Sequence, residues 1–143
     1  EIQKIATQDP RIIFKGQLKR DDALREMSHA TVIVNPRVNT EEFVKYSFPS
    51  KNIEALSSGI PFVGYKLAGI PDEYDAYINY PSNESREALA EMLIDVCEDK
   101  DNIYANKALQ AKSWVMREKN PRVQAKKILA LFDEVSNANK QDK

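Results

Sequence analysis

Short apolar runs alternate with amphipathic helical patterns over the first half of this 143-residue chain. A run of four or five apolar residues bounded by turn-forming residues predicts a short buried strand. Four such runs occur, at residues 11–15, 31–34, 61–65 and 77–80. Strands that alternate with helices indicate a parallel sheet covered by helices, because parallel strands need crossover connections. The pattern therefore predicts the α/β class.

Helical periodicity fills most of the remaining chain. Residues 1–8 resemble the end of a helix, and the acidic pair at Asp21 predicts the start of another that runs to about Ala30. Beyond residue 81 apolar residues recur at helical spacing, and Asn120 followed by proline predicts the start of a last helix. We expect a single domain over residues 1–143, with a strand–helix part at about 1–80 and a helical cluster at about 84–137.

The composition excludes several classes of protein. A net charge of −1 gives no reason to expect a nucleic-acid partner. No apolar run approaches the length of a membrane-spanning helix, and the single cysteine, Cys97, fits a reducing cytoplasm. One histidine, His29, lies far from Cys97 in the sequence, so no metal site is expected.

The segment between residues 46 and 63 is the most informative part of the chain. It predicts a loop, a short helix and a Gly-Ile-Pro turn that leads into a strand. Ser47, Ser50 and Glu54 are spaced by three and four residues, which places them on one helical face. A polar first turn has free N–H groups and a positive end that suit a diphosphate, and a carboxylate one turn later can accept hydrogen bonds from ribose hydroxyls.

Other polar residues are predicted to meet this helix. Ligands of parallel α/β sheets bind outside the carboxyl ends of the strands. The loops after Val34 and Tyr65 leave from that edge. We therefore expect the loop of residues 35–47 and the turn at Gly69 to flank one cleft, into which the helix near residues 47–51 opens.

Five motifs in this order and spacing resemble a known family. They are Ile12-Ile-Phe-Lys-Gly16, Val32-Ile-Val-Asn-Pro36, Tyr46-Ser-Phe-Pro-Ser-Lys51 with Glu54, Ser58-Gly-Ile-Pro-Phe-Val63 and Ala68-Gly-Ile-Pro-Asp-Glu73. Together they resemble the C-terminal, donor-binding domain of retaining group 1 glycosyltransferases with the GT-B fold, which is Rossmann-like, and most closely the bacterial enzymes of capsular and surface polysaccharides. The resemblance implies transfer of a hexose from a UDP- or GDP-linked sugar to a growing polysaccharide or lipid-linked glycan. It implies no cofactor and no bound metal.

The resemblance assigns roles to particular residues. Glu54 matches the glutamate that binds the donor ribose, whereas the glutamate expected near the donor sugar is replaced by Tyr46, so that Glu41 or Glu42 would have to substitute for it. The resemblance assigns no catalytic residue to this chain.

The other candidates each have a structural alternative. The candidates for binding the diphosphate are Ser47, Phe48, Ser50 and Lys51. The alternative role of the two serine hydroxyls is helix capping, and the alternative for Lys51 is a solvated surface position. Arg37 faces the supposed cleft or pairs with Glu41 or Glu42. Gly69 lies in the turn that the resemblance places near the sugar.

The chain also departs from the family pattern at its start. Two strand–helix units that carry a basic pair have no match, and the N-terminal acceptor domain is absent, so we expect an N-terminally truncated fragment without activity of its own. Residues 12–15 and 31–34 would then pair directly, or another chain would fill the gap. The alternatives in function are a non-catalytic α/β interaction or regulatory domain, or the nucleotide-binding subunit of a split glycosyltransferase.

We expect a cytoplasmic protein. A basic stretch around Asn120 would either bind the inner face of the membrane peripherally, touching anionic lipid or a lipid-diphosphate acceptor, or form a solvated face. Its members are Arg117, Lys119, Arg122, Lys126 and Lys127.

Overall fold

The computed structural model describes residues 2–40 and 42–141, in which a parallel two-stranded sheet is flanked by helices. This is a Rossmann-like α/β arrangement, as the sequence predicts. The elements in chain order are α1 (Ile2–Ala6), α2 (Arg20–Ser28), β1 (Ile33–Asn35), α3 (Ser50–Ser58), β2 (Phe62–Gly64), α4 (Arg86–Cys97), α5 (Ile103–Glu118) and α6 (Pro121–Gln141). Two short 3-10 helices, at Glu42–Tyr46 and Asp72–Tyr74, lie in the connections.

The two strands pair in parallel, with Ile33 opposite Phe62 and Asn35 opposite Gly64. Their carboxyl ends therefore lie at the same edge, which is where the long loops leave the sheet. The predicted strand at residues 77–80 is reduced to a single bridge between Val63 and Asn79. The N–H groups just before this bridge, at residues 77 and 78, both bond to the Tyr74 carbonyl, so the backbone forms a turn until it reaches the sheet.

The strand predicted at residues 11–15 is wrong. The segment runs as a loop between α1 and α2, and its apolar side chains are exposed, with Ile13 73% accessible. A strand exists only where a neighbouring strand satisfies its backbone groups, and in the described residues β1 is paired with β2 alone. Direct pairing of residues 12–15 with residues 31–34 is therefore excluded. The second predicted strand is present, at Ile33–Asn35.

The core lies between the sheet, α3 and α5. Leu56 on α3, Val63 on β2, and Leu67 and Ile78 in the following loops are almost wholly buried. Gly59 ends α3 in the left-handed conformation with φ of 81°, where glycine is least strained, and this turn directs the chain into β2. Burial of one helical face thus fixes the position of α3 against the sheet.

Three helices fill the C-terminal region, as its apolar periodicity predicts. Ser85 caps α4, because its Oγ accepts a hydrogen bond of 3.1 Å from the Ala88 N–H. Asn120 caps α6 in the predicted way, with 3.0 Å from its Oδ1 to the Val123 nitrogen. Trp114 on α5 packs into the core, whereas α6 leaves several large apolar side chains exposed.

Candidate functional site

The first turn of α3 lies beside the carboxyl end of β1. A hydrogen bond of 2.9 Å from Asn35 Nδ2 to Asn52 Oδ1 joins the two elements. Asn52 is only 2% exposed, so this bond satisfies a polar group that would otherwise be costly to bury. Neither asparagine is predicted from the sequence as part of a site. The sequence feature that could have identified Asn52 is its position on the same buried face of α3 as Ala55 and Leu56.

The amino end of α3 has no side-chain cap. The helix begins at Ser50, its N-cap residue is Pro49, and no side chain at the cap accepts a hydrogen bond from the first turn. Ser47 precedes the helix, so its predicted place on a face with Ser50 and Glu54 is wrong. The hydroxyl of Ser47 is buried without a hydrogen-bond partner in the described residues, so it is not a cap. The first N–H groups of α3 therefore keep their capacity to bind an anion.

A cavity of about 360 Å³ lies between α2, β1 and α3. Glu54 and Lys51 line it from α3, and Ile33 and Phe62 contribute apolar surface from the sheet. Both charged residues are exposed. The structure thus brings a carboxylate and an ammonium group to one cavity with apolar walls, which is the composition typical of small-molecule sites. The remaining lining residues are Ala23, Met27, Val34, Asn35, Asn52 and Ala55.

The Gly69 turn contacts the loop before α3 directly. A Cβ atom added to Gly69 would lie 2.5 Å from the carbonyl oxygens of Val44 and Ser47, closer than any real contact. The sequence predicts that these two segments flank a cleft, but the structure shows them packed against each other, backbone to backbone. The absence of a side chain at residue 69 is what allows this packing.

The Asn39 side chain forms hydrogen bonds with the backbone of the same turn. Its Nδ2 donates to the Lys66 carbonyl oxygen at 2.7 Å and to Glu84 Oε1 at 3.2 Å, while its Oδ1 accepts from the Ala68 N–H at 2.9 Å. The carboxamide therefore bonds to a carbonyl and an N–H of the turn in the way a neighbouring strand would. The role of Asn39 is not predicted either, since a loop asparagine in a sequence gives no signal about distant backbone partners.

Several predicted site residues lie away from the cavity. The Arg37 guanidinium lies 5.0 Å from the centre of the Phe43 ring, and within the described residues no ion pair with Glu42 forms. Tyr46 is 84% exposed, and Phe48 packs on Tyr74 with ring centres 4.9 Å apart. The remaining candidate, Glu41, lies outside the described residues.

An ion-pair cluster braces the segment after the Gly69 turn. The Lys66 ammonium group bonds to Asp75 at 2.5 Å and to Asp72 at 3.2 Å, and the Tyr80 hydroxyl donates to Asp75 at 2.9 Å. The hydrogen bond from Lys66 lowers the pKa of Asp75. Burial acts to lower the pKa of Lys66, but its two aspartate partners outweigh burial and raise it. Burial, and then the neighbouring Asp75, raise the pKa of Tyr80.

This cluster predicts a stability difference that depends on pH. Because the pKa of Asp75 is lowered from 3.8, its contribution is present above that value and disappears as the pH falls through the lowered one. At neutral pH Asp75→Asn should lower the melting temperature by about 1–3 °C, since the pair is exposed to solvent. Thermal melts of both proteins should converge between about pH 4 and pH 2. A difference that persists in acid would contradict this assignment.

The structure also bears on metal binding and on membrane-spanning helices. Within residues 2–40 and 42–141, no group of three or more His, Cys, Asp or Glu side chains is placed to hold a metal ion. No helix of the described chain has both the length and the apolar character needed to cross a membrane.

The chain matches a known protein family. The family model described as "Glycosyl transferases group 1" matches residues 1–99, which is more than half of the chain. Neither the curated proteins nor the solved structures contain a significant match.

Proposed function

Because the chain belongs to the group 1 glycosyltransferase family, we propose that it binds the donor of a hexosyl transfer from a nucleoside-diphosphate sugar to a polysaccharide or lipid-linked glycan. The observation that carries this proposal is the uncapped amino end of α3, with Lys51 and Glu54 lining one cavity beside it. These are the groups that a nucleoside diphosphate requires. The fold alone would not specify this ligand.

The diphosphate would bind at the first turn of α3. The N–H groups of Phe48, Ser50 and Lys51 and the positive end of the helix attract an anion, and the Lys51 ammonium group adds a full charge. The Ser47 hydroxyl is buried in the structure, so it would reach a phosphate oxygen only after the loop before α3 shifts. During transfer the bond between the anomeric carbon and the diphosphate oxygen breaks and its electron pair stays on the diphosphate. The acceptor hydroxyl oxygen bonds to the anomeric carbon, and its proton passes to the departing diphosphate. Groups already directed at the diphosphate oxygen stabilise the developing charge without a metal ion.

Glu54 would orient the nucleoside. It lies one turn into α3, next to Lys51 on the cavity wall, and its carboxylate can accept hydrogen bonds from two ribose hydroxyls. The apolar surface of Ile33 and Phe62 offers a place for the flat base. UDP and GDP are the nucleotides proposed. The sugar would then extend toward the Gly69 turn, where Arg37, Glu41, Glu42 and Tyr46 are the candidate neighbours.

The acceptor site would lie on a separate acceptor domain or partner chain. In the described residues the outer edge of β1 has no paired strand, so a segment from elsewhere can extend the sheet there. We therefore propose that this chain alone binds donor without transferring sugar, and that transfer needs closure of a second domain over the site. The unpaired edge also favours the second candidate function, the nucleotide-binding subunit of a split glycosyltransferase, because a separate chain could supply the missing strand. The transfer proposed for either function retains the configuration of the sugar.

Nucleotide titration tests the proposal. UDP, GDP and ADP should be added in turn to isotope-labelled protein, and backbone amide shifts should cluster at residues 47–54 and at Gly69. Changes scattered over the surface, or none at millimolar nucleotide, would favour a non-catalytic interaction domain. If all three nucleotides change the amide shifts by the same amount, the protein binds the phosphates without selecting a base.

A further inference from the structure

A second and larger cavity, of about 560 Å³, lies along α5. It is a groove at the surface, away from Lys51 and Glu54, and it contains none of the residues assigned to the donor. Its lining residues, here called the α5 groove, are Tyr77, Asn106, Leu109, Gln110, Ser113, Trp114 and Arg117. Its volume falls within the range of about 300–1,000 Å³ that small-molecule sites occupy.

Two aromatic rings form one wall of the α5 groove. Tyr77 stacks on Trp114 with ring centres 4.6 Å apart and an angle of 24° between the planes. Tyr74 meets the indole edge-on, and the Lys119 ammonium group lies 4.9 Å from the indole centre. Lys119 is itself held by an ion pair with Glu73. The stacked pair is therefore fixed before any ligand arrives, which lowers the entropy cost of binding.

Polar side chains form the other wall. Asn106, Gln110, Ser113 and Arg117 follow one another at four, three and four residues, so they form a single stripe along α5. All four are exposed. The Arg117 Nε donates to Glu118 Oε1 at 2.8 Å, so its positive charge is paired with a carboxylate. The stripe thus offers two amides, a hydroxyl and a guanidinium group that is paired with a carboxylate.

We propose that the α5 groove binds a neutral oligosaccharide. A pyranose ring has an apolar C–H face, which packs on an aromatic ring, and a rim of hydroxyls, each of which both donates and accepts. Amide side chains present a donor and an acceptor side by side and so match adjacent hydroxyls. A strongly charged ligand would find no unpaired charge in the groove to bind it.

The choice of an oligosaccharide rests on the proposed function, since a glycan is the acceptor and the product of that reaction. Ring contacts of 4.9 Å from Phe48 to Tyr74 and from Tyr74 to Trp114 connect the groove to the loop before α3. A glycan in the α5 groove would stay tethered to the protein while donors exchange at α3. Such tethering raises the effective concentration of the acceptor even when the groove binds weakly.

Trp114 reports on the groove directly, because it is the only tryptophan in the chain. Maltotriose, cellotriose and N-acetylchitotriose should be titrated into the protein while tryptophan fluorescence is recorded. We expect a saturable change at millimolar concentration with at least one trisaccharide. Gln110→Ala should weaken that binding by about threefold to tenfold, through loss of a hydrogen-bonding amide on the surface. The matched control is Gln17→Ala, which removes an exposed glutamine outside the groove.

The outcomes separate this inference from the proposed function. No saturable response to any of the three trisaccharides, or equal affinity in the Gln110→Ala protein, would overturn the groove assignment even if UDP or GDP binds at α3. Trisaccharide binding without nucleotide binding would support the groove and contradict the donor site. Circular dichroism spectra of both variants should match that of the parent, because each change lies on the surface.

Discussion

Replacing Gly69 by alanine should lower the free energy of unfolding by about 2–3 kcal/mol, the cost of forcing an atom into a packed site. The new Cβ would lie 2.5 Å from the Val44 and Ser47 carbonyl oxygens. Both obstacles are backbone atoms, so no side-chain rotation can relieve the overlap and the turn has to separate from the loop before α3. The melting temperature should fall by about 5–10 °C.

The neighbouring residue provides the control. Ala68→Ser also adds one atom to the turn, but residue 68 is exposed and its change should stay within about 0.5 kcal/mol. Denaturant unfolding of the two variants measures the difference directly. If Gly69→Ala unfolds at the same denaturant concentration as Ala68→Ser, the close backbone contact is not a determinant of stability.

Replacing Glu54 by alanine should weaken UDP or GDP binding by about 10- to 100-fold, because hydrogen bonds to a charged group contribute more than neutral ones. Glu54 is exposed on α3, so its removal should leave the fold intact. Calorimetric titration gives the nucleotide affinity. Glu54→Gln separates the effect of charge from that of shape, because its amide keeps one hydrogen-bond acceptor and should therefore reduce the affinity less than alanine does.

Glu91→Ala is the matched control, because Glu91 is an exposed glutamate on another helix, α4. Its nucleotide affinity should equal that of the parent. An unchanged affinity in Glu54→Ala would remove the ribose contact from the proposed function. A similar loss in both variants would indicate a general loss of folded protein, because removing a negative charge should by itself favour an anionic nucleotide.

The fold could be predicted from the sequence wherever local pattern decides the outcome. The helix beginning near Asp21 and the strand at Phe62–Gly64 combine clear periodicity with clear boundaries. Residues 11–15 have the same apolar pattern as residues 61–65 but form a loop. The difference is a partner strand, which no local pattern contains. Strand pairing depends on residues that are distant in the sequence, so a local pattern wrongly predicts a strand at residues 11–15.

The candidate site divides in the same way. Glu54 and Lys51 lie three residues apart on one helix, so their common cavity follows from helical spacing. Asn52 and Asn39 have equally specific roles, but their partners lie 17 to 45 residues away in the sequence, and two of those partners are backbone atoms. Only the folded structure brings these groups together. The sequence thus predicts the cavity-lining residues of α3 better than the residues that hold the neighbouring loops in place.

The bonds from Asn39 to the Gly69 turn have a consequence for how this protein can diverge. Both bonds reach main-chain atoms, the carbonyl of residue 66 and the N–H of residue 68, which every residue except proline can supply. The side chain at position 68 is therefore free to vary while the turn keeps its place. If the donor sugar binds near this turn as proposed, a change at residue 68 would alter the preferred sugar without a loss of stability, and sugar specificity would then evolve independently of the fold.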